Sequence, residues 1–162
     1  MNFFNKLQLA LIGAVAISAI AQPTAVFAIS VQVPSASVVA ATKAEDFLIQ
    51  GEEKDEKGDY QGAIAAYTQA ILLSPNYAEA YNGRGNARYR LGDYKAAVAD
   101  FNEALRINPN YAKAYNSRGN VRAELGDKQG AIQDFQKAAD LFQNQGDKNN
   151  YQKALNNLRR LQ

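Results

Sequence analysis

The sequence lacks cysteine, histidine and tryptophan altogether. Without cysteine the fold has no disulfide to stabilise it, and no lipid-bearing cysteine can follow an export signal. Without histidine it lacks the commonest general base and the commonest metal ligand. A glycine-rich phosphate loop is also missing. The sequence therefore predicts no catalytic residues, no metal site and no cofactor, and it disfavours an enzyme or an enzyme's carrier domain.

An excess of charge of one sign is missing too. Lys and Arg number 18 and Asp and Glu number 16, a net charge of +2. Removal of an N-terminal segment that contains Lys6 would leave 17 basic against 16 acidic residues, or +1. This balance predicts neither a nucleic-acid binder nor a polybasic membrane-surface protein.

The one long apolar run lies at the N-terminus. Residues 7–21 carry no charge and follow Lys6, a pattern typical of a secretory signal peptide. Gln22 and Pro23 end the run after about 15 residues, short of the roughly 20 that span a membrane. We predict a signal peptide over 1–28, cleaved after Ala28 or else after Ala21, and export to the periplasm or the thylakoid lumen. An uncleaved membrane anchor facing that compartment is the alternative.

A period of 34 residues organises the rest of the chain. Small residues and one aromatic recur at this spacing, and four such landmarks on one period indicate a true repeat: Gly51, Gly85 and Gly119; Ala63, Ala97 and Ala131; Tyr67, Phe101 and Phe135; Ala70, Ala104 and Ala138. Pro75 and Pro109, one period apart, end the second helices of the first two units, and Gln143 stands at the matching position of the third. The pattern resembles the tetratricopeptide repeat (TPR), a helix-turn-helix unit that stacks into a solenoid.

The resemblance implies an all-α fold, a TPR-type α-solenoid of three helix hairpins and a C-terminal capping helix. A Gly-Asp pair divides each unit, because glycine suits the end of one helix and aspartate can cap the next. We expect first helices near 44–57, 78–91 and 112–125, second helices near 60–73, 94–107 and 128–143, and a last helix over about 148–161. The predicted units are a linker at 29–43, repeats at 44–77, 78–111 and 112–145, and a cap at 146–162.

Small residues set how closely these helices approach each other. In the second unit Gly85, Ala97 and Ala104 take the close positions, while Phe101 and Leu91 are among the large side chains expected to fill the remaining space. Substituting Gly85 or Ala97 by Leu is expected to destabilise the fold by overpacking.

Two arginines stand where the repeat pattern usually has leucine. Arg84 and Arg118 occur in the two units that also carry Asp100 and Asp134, whereas the first unit has Gln50 and Ala66 at those places. We predict Arg84–Asp100 and Arg118–Asp134 ion pairs between the helices of a unit, since guanidinium suits bidentate bonding to carboxylate. The alternative is that the arginines contact a ligand.

In TPR proteins the first helices line a concave groove that contacts an extended peptide or a partner helix. Helical spacing places one polar stripe of each first helix on that side. From these stripes we predict the partner-binding residues Glu45, Leu48 and Glu52 in the first unit, Asn82, Asn86, Tyr89 and Arg90 in the second, and Lys113, Asn116 and Asn120 in the third.

The four asparagines would form a double row of amides. Each amide both donates and accepts, which matches an extended backbone without demanding one particular side chain. The alternatives are a solvated polar face, or amides used locally between units. A clamp for a terminal carboxylate is disfavoured, because Leu48, Glu52 and Ser117 occupy places that require Lys, Asn and Arg.

The first unit is strongly acidic, with seven acidic and two basic residues and a net charge of −5. Such a surface attracts a basic partner segment, or it is simply a solvated charged end. Calcium binding is disfavoured because no loop carries alternating acidic ligands.

Together these features predict an exported, non-enzymatic adaptor that binds a peptide or a helix of another protein in its groove. The alternative of the same class is a membrane-tethered assembly factor. No nucleic-acid partner is expected.

Overall fold

The computed structural model of the protein describes residues 35–161. The predicted signal peptide and the first part of the predicted linker lie outside these residues. Within 35–161, no helix combines the length and the apolarity that crossing a bilayer requires.

The described residues form seven α-helices and no strand, which confirms the predicted all-α fold. Helices α2 to α7 begin and end within one residue of the predicted bounds. The helices are α1 Ala36–Glu56, α2 Tyr60–Leu73, α3 Ala78–Arg90, α4 Tyr94–Ile107, α5 Ala112–Glu124, α6 Lys128–Asn144 and α7 Lys148–Leu161.

Gly-Asp turns join the two helices of each hairpin, as predicted. Gly92 has a φ of 81°, the left-handed conformation that glycine adopts without a steric penalty. The following Asp93 accepts a hydrogen bond from the Ala96 amide at 3.2 Å and so caps α4. Asp59 and Asp127 cap α2 and α6 in the same way.

The prediction of a linker up to residue 43 is wrong for its last part. Helix α1 begins at Ala36, two turns earlier than expected, and Ser35 precedes it. Residues 36–43 are almost entirely exposed, with Val38 half-exposed. These two turns pack against none of the core clusters, so the sequence shows no hydrophobic periodicity there. Extending an established helix costs little free energy compared with starting a new one, which accounts for the extra turns.

Each helix packs on its neighbours in sequence, and α1 also contacts α3 while α3 contacts α5. The repeated alanines are fully buried between helices. Phe101 and Phe135 are completely buried, and a Cβ added to Gly85 would lie 2.8 Å from Phe101 Cε1. The small residues therefore set the helix spacing, as predicted. Leu91 does not join this core but is 43% exposed, because it lies in the turn before Gly92.

Helix α7 ends the stack. Ala154 is buried in one cluster with Leu141 and Phe142 of α6, and Tyr151 and Leu155 pack against that cluster. The apolar face of α7 thus covers the last hairpin.

Candidate functional site

A recess of about 540 Å³ opens on the side of the first helices, between α1 and α3 and beside the start of α5. We call it the acidic recess. It is lined by Glu52, Asp55 and Glu56 of α1, Tyr67 of α2, Glu79, Asn82, Gly83 and Asn86 of α3, and Tyr111 and Lys113 at the start of α5. Four carboxylates and one ammonium group therefore face the same space.

Tyr67 forms the floor of the recess, and two glycines hold its ring. A Cβ added to Gly51 would lie 2.5 Å from Tyr67 Cε1, and a Cβ added to Gly83 would lie 2.6 Å from Tyr67 Cζ. The ring is thus pinned between α1 and α3 and is only 3% exposed. In the next repeats the aromatic is Phe, and Ser117 stands one period after Gly83.

The electrostatics of the recess follow from burial and from its crowded carboxylates. Burial raises the pKa of Asp55, with Glu56 adding repulsion and Arg90 opposing the rise. Burial also raises the pKa of Tyr111 to about 12, and Glu79 and Glu52 contribute to that rise. Burial and the neighbouring acids raise the pKa of Tyr67 as well. The field in the recess is therefore negative and disfavours any further negative charge.

Two polar atoms at the recess have no hydrogen-bond partner among the described residues. Asn82 is 8% exposed, and its Oδ1 is buried without a donor. Asp55 Oδ1 is likewise buried and unpartnered. Buried acceptors are normally satisfied, so both atoms have the capacity to accept a hydrogen bond from an incoming group.

The structure brings four of the predicted groove residues together in the recess: Glu52, Asn82, Asn86 and Lys113. The predicted binding residues leave out the other six lining residues: Asp55, Glu56, Tyr67, Glu79, Gly83 and Tyr111. The repeat marks Tyr67 only as a core aromatic, Tyr111 recurs one period after Tyr77 just before a first helix, and no periodic signal marks Gly83.

Asn116 and Asn120 are half-buried and lie outside the lining of the recess. Asn157 of α7 donates from Nδ2 to Oδ1 of both residues, at 3.3 Å in each case. The capping helix therefore bonds the Oδ1 atoms of these two α5 amides, which matches the alternative of amides used locally. Asn157 itself is half-buried at these contacts.

Two further predicted groove residues belong to the core instead. Leu48 packs against the clusters around Tyr67 and Ile71, because an apolar side chain gains more from burial there than from a polar surface. Tyr89 packs against the cluster around Phe101, with its ring 5.7 Å from that of Tyr94.

The last two predicted residues, Glu45 and Arg90, are exposed and lie outside the lining of the recess. Glu45 lies near enough to contribute to the raised pKa of Tyr77. Arg90 acts on the recess only through its charge, which opposes the rise in the pKa of Asp55.

The predicted inter-helix pairs are present at bonding distance. Arg84 donates from Nε and Nη2 to the two oxygens of Asp100, at 3.0 and 2.8 Å. Arg118 donates to Asp134 in the same bidentate way, at 2.9 and 2.7 Å. Both carboxylates are 3% exposed. These arginines are therefore bound inside the hairpins and are not offered to a ligand.

A second arginine joins each pair, which sequence analysis did not foresee. Arg88 donates from Nη1 to Asp100 at 2.7 Å, and Arg122 donates to Asp134 at 2.9 Å. The sequence did contain a signal, since the first repeat has Lys54 at this place and lacks the carboxylate. Each buried aspartate therefore balances two guanidinium groups.

Helix hairpins that each pack on the next define an α-solenoid repeat protein. Family models for the tetratricopeptide repeat match residues 51–92, 85–126 and 112–145. The chain belongs to the tetratricopeptide repeat family. A comparison with curated proteins gives no match.

Several solved structures are similar to this chain. The first TPR of Spaghetti (RPAP3), bound to the HSP90 peptide SRMEEVD, has 29% identity and a TM-score of 0.68, and the match covers 75% of this chain and 91% of that one. The second TPR domain of human RPAP3, with the HSP70 peptide SGPTIEEVD, has 26% identity, a TM-score of 0.65, and coverage of 77% and 97%. The Arabidopsis OM64 TPR domain has 26% identity, a TM-score of 0.67, and coverage of 75% and 98%.

Proposed function

We propose that this protein is a non-catalytic adaptor that binds an extended peptide segment of a partner protein on the side of its first helices. The observation that carries the proposal is the recess between α1 and α3, where the amides of Asn82 and Asn86 line an open space. Amides at this spacing along a helix suit the donors and acceptors of an extended backbone. The peptides bound to the structurally similar TPR domains support the same mode.

The peptide site is proposed to be shorter than the full row of first helices. Asn116 and Asn120 are engaged by α7, so the proposed contact runs over α1, α3 and the start of α5. A partner helix, the other ligand expected from the sequence, would need a longer open face.

A display selection with random peptides tests this function. Peptides selected on the wild-type protein should bind it saturably in fluorescence anisotropy. The variant Asn82→Ala plus Asn86→Ala should weaken that binding about tenfold or more, because it removes two hydrogen-bonding amides from the contact.

The matched control is Gln133→Ala plus Gln136→Ala, which removes two exposed amides from the outer side of α6. Its affinity should equal that of wild type. If no peptide is selected, or if the Asn82/Asn86 variant binds as wild type does, the proposed site is wrong.

We further propose that the adaptor acts after export, either released by cleavage of residues 1–28 or held by them as a membrane anchor. The charge and apolarity pattern of residues 1–28 supports export. The N-terminal residue of the protein isolated from cells decides between the two forms.

A further inference from the structure

The carboxylates of the acidic recess are not neutralised within the described fold. Four acidic residues and Lys113 line it, which leaves a net charge of −3. The ion pairs among residues 35–161 involve none of Glu52, Asp55, Glu56 or Glu79. Asp100, by contrast, is paired with Arg84 at 2.8 Å.

A second observation, independent of this charge, also points to a hydrogen-bond donor. Asn82 is more than nine-tenths buried, lines the recess and has an unpartnered Oδ1. A buried acceptor without a donor costs free energy that an incoming N–H group recovers. Asp55 Oδ1 offers a charged acceptor in the same recess.

The size and lining of the recess suit an organic cation better than a metal ion. The carboxylates are spread around about 540 Å³, and among the described residues no group of three or more acidic side chains is placed to hold a metal ion. Tyr67 and Tyr111 add aromatic surface to the same space. A guanidinium or ammonium group on an aliphatic stem bonds carboxylates and amides while it lies against aromatic rings.

We infer that the acidic recess binds an arginine or lysine side chain of the partner's peptide segment. This inference rests on the proposed function and names the class of peptide. The basic side chain lies among Glu52, Asp55 and Glu79 and donates to Asn82 Oδ1. It makes this groove selective for basic segments, whereas the solved neighbours hold peptides that end in Glu-Glu-Val-Asp.

Two cations of the chain itself compete with the peptide. Lys113 lines the recess, and Arg90 acts on Asp55 through its charge. Both side chains are exposed. The four carboxylates still outnumber these two positive charges. Replacing Lys113 by Met therefore strengthens the binding of a basic peptide, a direction that a merely structural lysine would not produce.

The experiment starts from peptides selected by display on the wild-type protein. Arg and Lys should be enriched among them at one fixed position. Replacing that residue by Gln should weaken binding about tenfold, because a partly desolvated charged contact is lost. Affinity should also fall as the salt concentration is raised. The peptide SGPTIEEVD, which contains no basic residue, serves as the acidic probe and should bind least.

The test variant is Glu52→Gln plus Glu79→Gln, and the matched control is Glu53→Gln plus Glu103→Gln. Glu52, Glu53 and Glu79 are exposed and the Glu103 side chain is 45% exposed. Both variants remove the same charge, but only the first pair lines the recess. The test variant should bind the Arg peptide and its Gln counterpart equally. The control should keep the wild-type preference.

The outcomes separate this inference from the proposed function. Selected peptides without a basic residue, or a preference for SGPTIEEVD, would overturn the inference while the peptide-binding function stood. Equal losses of affinity for the Arg peptide in the test and control variants would show that only long-range charge matters, and would also overturn the inference. Saturable binding of Ca²⁺ that abolishes peptide capture would assign the recess to a metal ion. Failure to select any peptide would overturn both proposals.

Discussion

At the residue scale, the first repeat differs from the others in the aromatic at its centre. Tyr67 carries a hydroxyl where Phe101 and Phe135 do not. Its ring lies against Gly51 on one side and Gly83 on the other, so the pair of glycines makes room for the larger side chain. One consequence is that Tyr67 lines the recess, whereas the two phenylalanines are completely buried.

Gly83→Ala tests this packing. In a helix interior the change from Gly to Ala ordinarily stabilises by up to about 1 kcal/mol. Here the new Cβ would lie 2.6 Å from Tyr67 Cζ, and the ring cannot retreat because Gly51 is pinned against its other side. Overpacking of this kind costs about 1–3 kcal/mol. We expect net destabilisation of about 1–2 kcal/mol in urea unfolding.

Ser117→Ala is the control, because this position lies one period later and already accommodates a Cβ. It should change stability little. In a Tyr67→Leu background, Gly83→Ala should be neutral or stabilising. Destabilisation that persists in that background would show that the ring is not the cause.

At the element scale, charged bonds join the two helices of the second and third hairpins. Asp100 of α4 accepts three hydrogen bonds from Arg84 and Arg88 of α3, at 2.7 to 3.0 Å. The first hairpin instead has Lys54 paired with the exposed Asp59 at 3.2 Å. The buried pair also links repeats, since Arg84 donates to Thr68 of α2 at 3.2 Å.

Asp100→Ala is expected to lower the free energy of unfolding by about 3–5 kcal/mol, because it leaves two partly buried guanidinium groups without a counter-charge. Chemical denaturation measures the loss. Glu103→Ala is the control on the same helix. Its exposed pair with Arg106 should be worth at most about 1 kcal/mol.

Placing the residues of the first repeat at these three positions should restore most of the lost free energy of unfolding. The triple variant Arg84→Gln, Arg88→Lys and Asp100→Ala leaves no buried carboxylate and only a flexible, partly exposed amine. If Asp100→Ala alone is as stable as wild type, the pair has no structural role.

The two ends of the row of first helices differ in what lies beside them. At the C-terminal end, Asn157 of α7 bonds the amides of α5. At the N-terminal end, the open recess lies between α1 and α3. The recess takes Glu52 from the predicted stripe of α1, Asn82 and Asn86 from that of α3 and Lys113 from that of α5, while Asn116 and Asn120 lie outside its lining.

At the scale of the whole molecule, charge is segregated along the chain. Residues 44–77 carry a net −5, while residues 146–162 carry four basic residues and Asp147. The acidic end coincides with the recess, which favours fast capture of a basic segment. The basic end coincides with the capping helix, whose exposed side bears Arg159 and Arg160.

The export proposal predicts which residue begins the protein found in cells. Protein recovered from cells should begin at Ile29, or at Gln22, as read by N-terminal sequencing or intact mass. Replacing Ala28 by Arg should move the start to Gln22 or block cleavage, since the peptidase requires a small residue there. Replacing Ala21 by Arg should leave a start at Ile29 unchanged.

An intact Met1 in a membrane fraction would support the anchor instead of release. An intact Met1 in protein that stays soluble inside the cell would contradict both forms of the export proposal.

The sequence by itself determined the all-α solenoid and the helix bounds from α2 onward. Those features depend on local chemistry: a 34-residue period of small residues, Gly-Asp turns and prolines that end helices. It also determined the Arg84–Asp100 and Arg118–Asp134 partners, because both members of each pair are absent together from the first repeat. Only the tertiary structure decided that Asn116 and Asn120 are taken by α7, that Leu48 and Tyr89 pack inward, and that Asn82 is left buried without a donor. Those outcomes depend on which helix lies across each polar stripe. The repeat pattern is the same in every unit, so it does not specify what packs beside the first and the last unit.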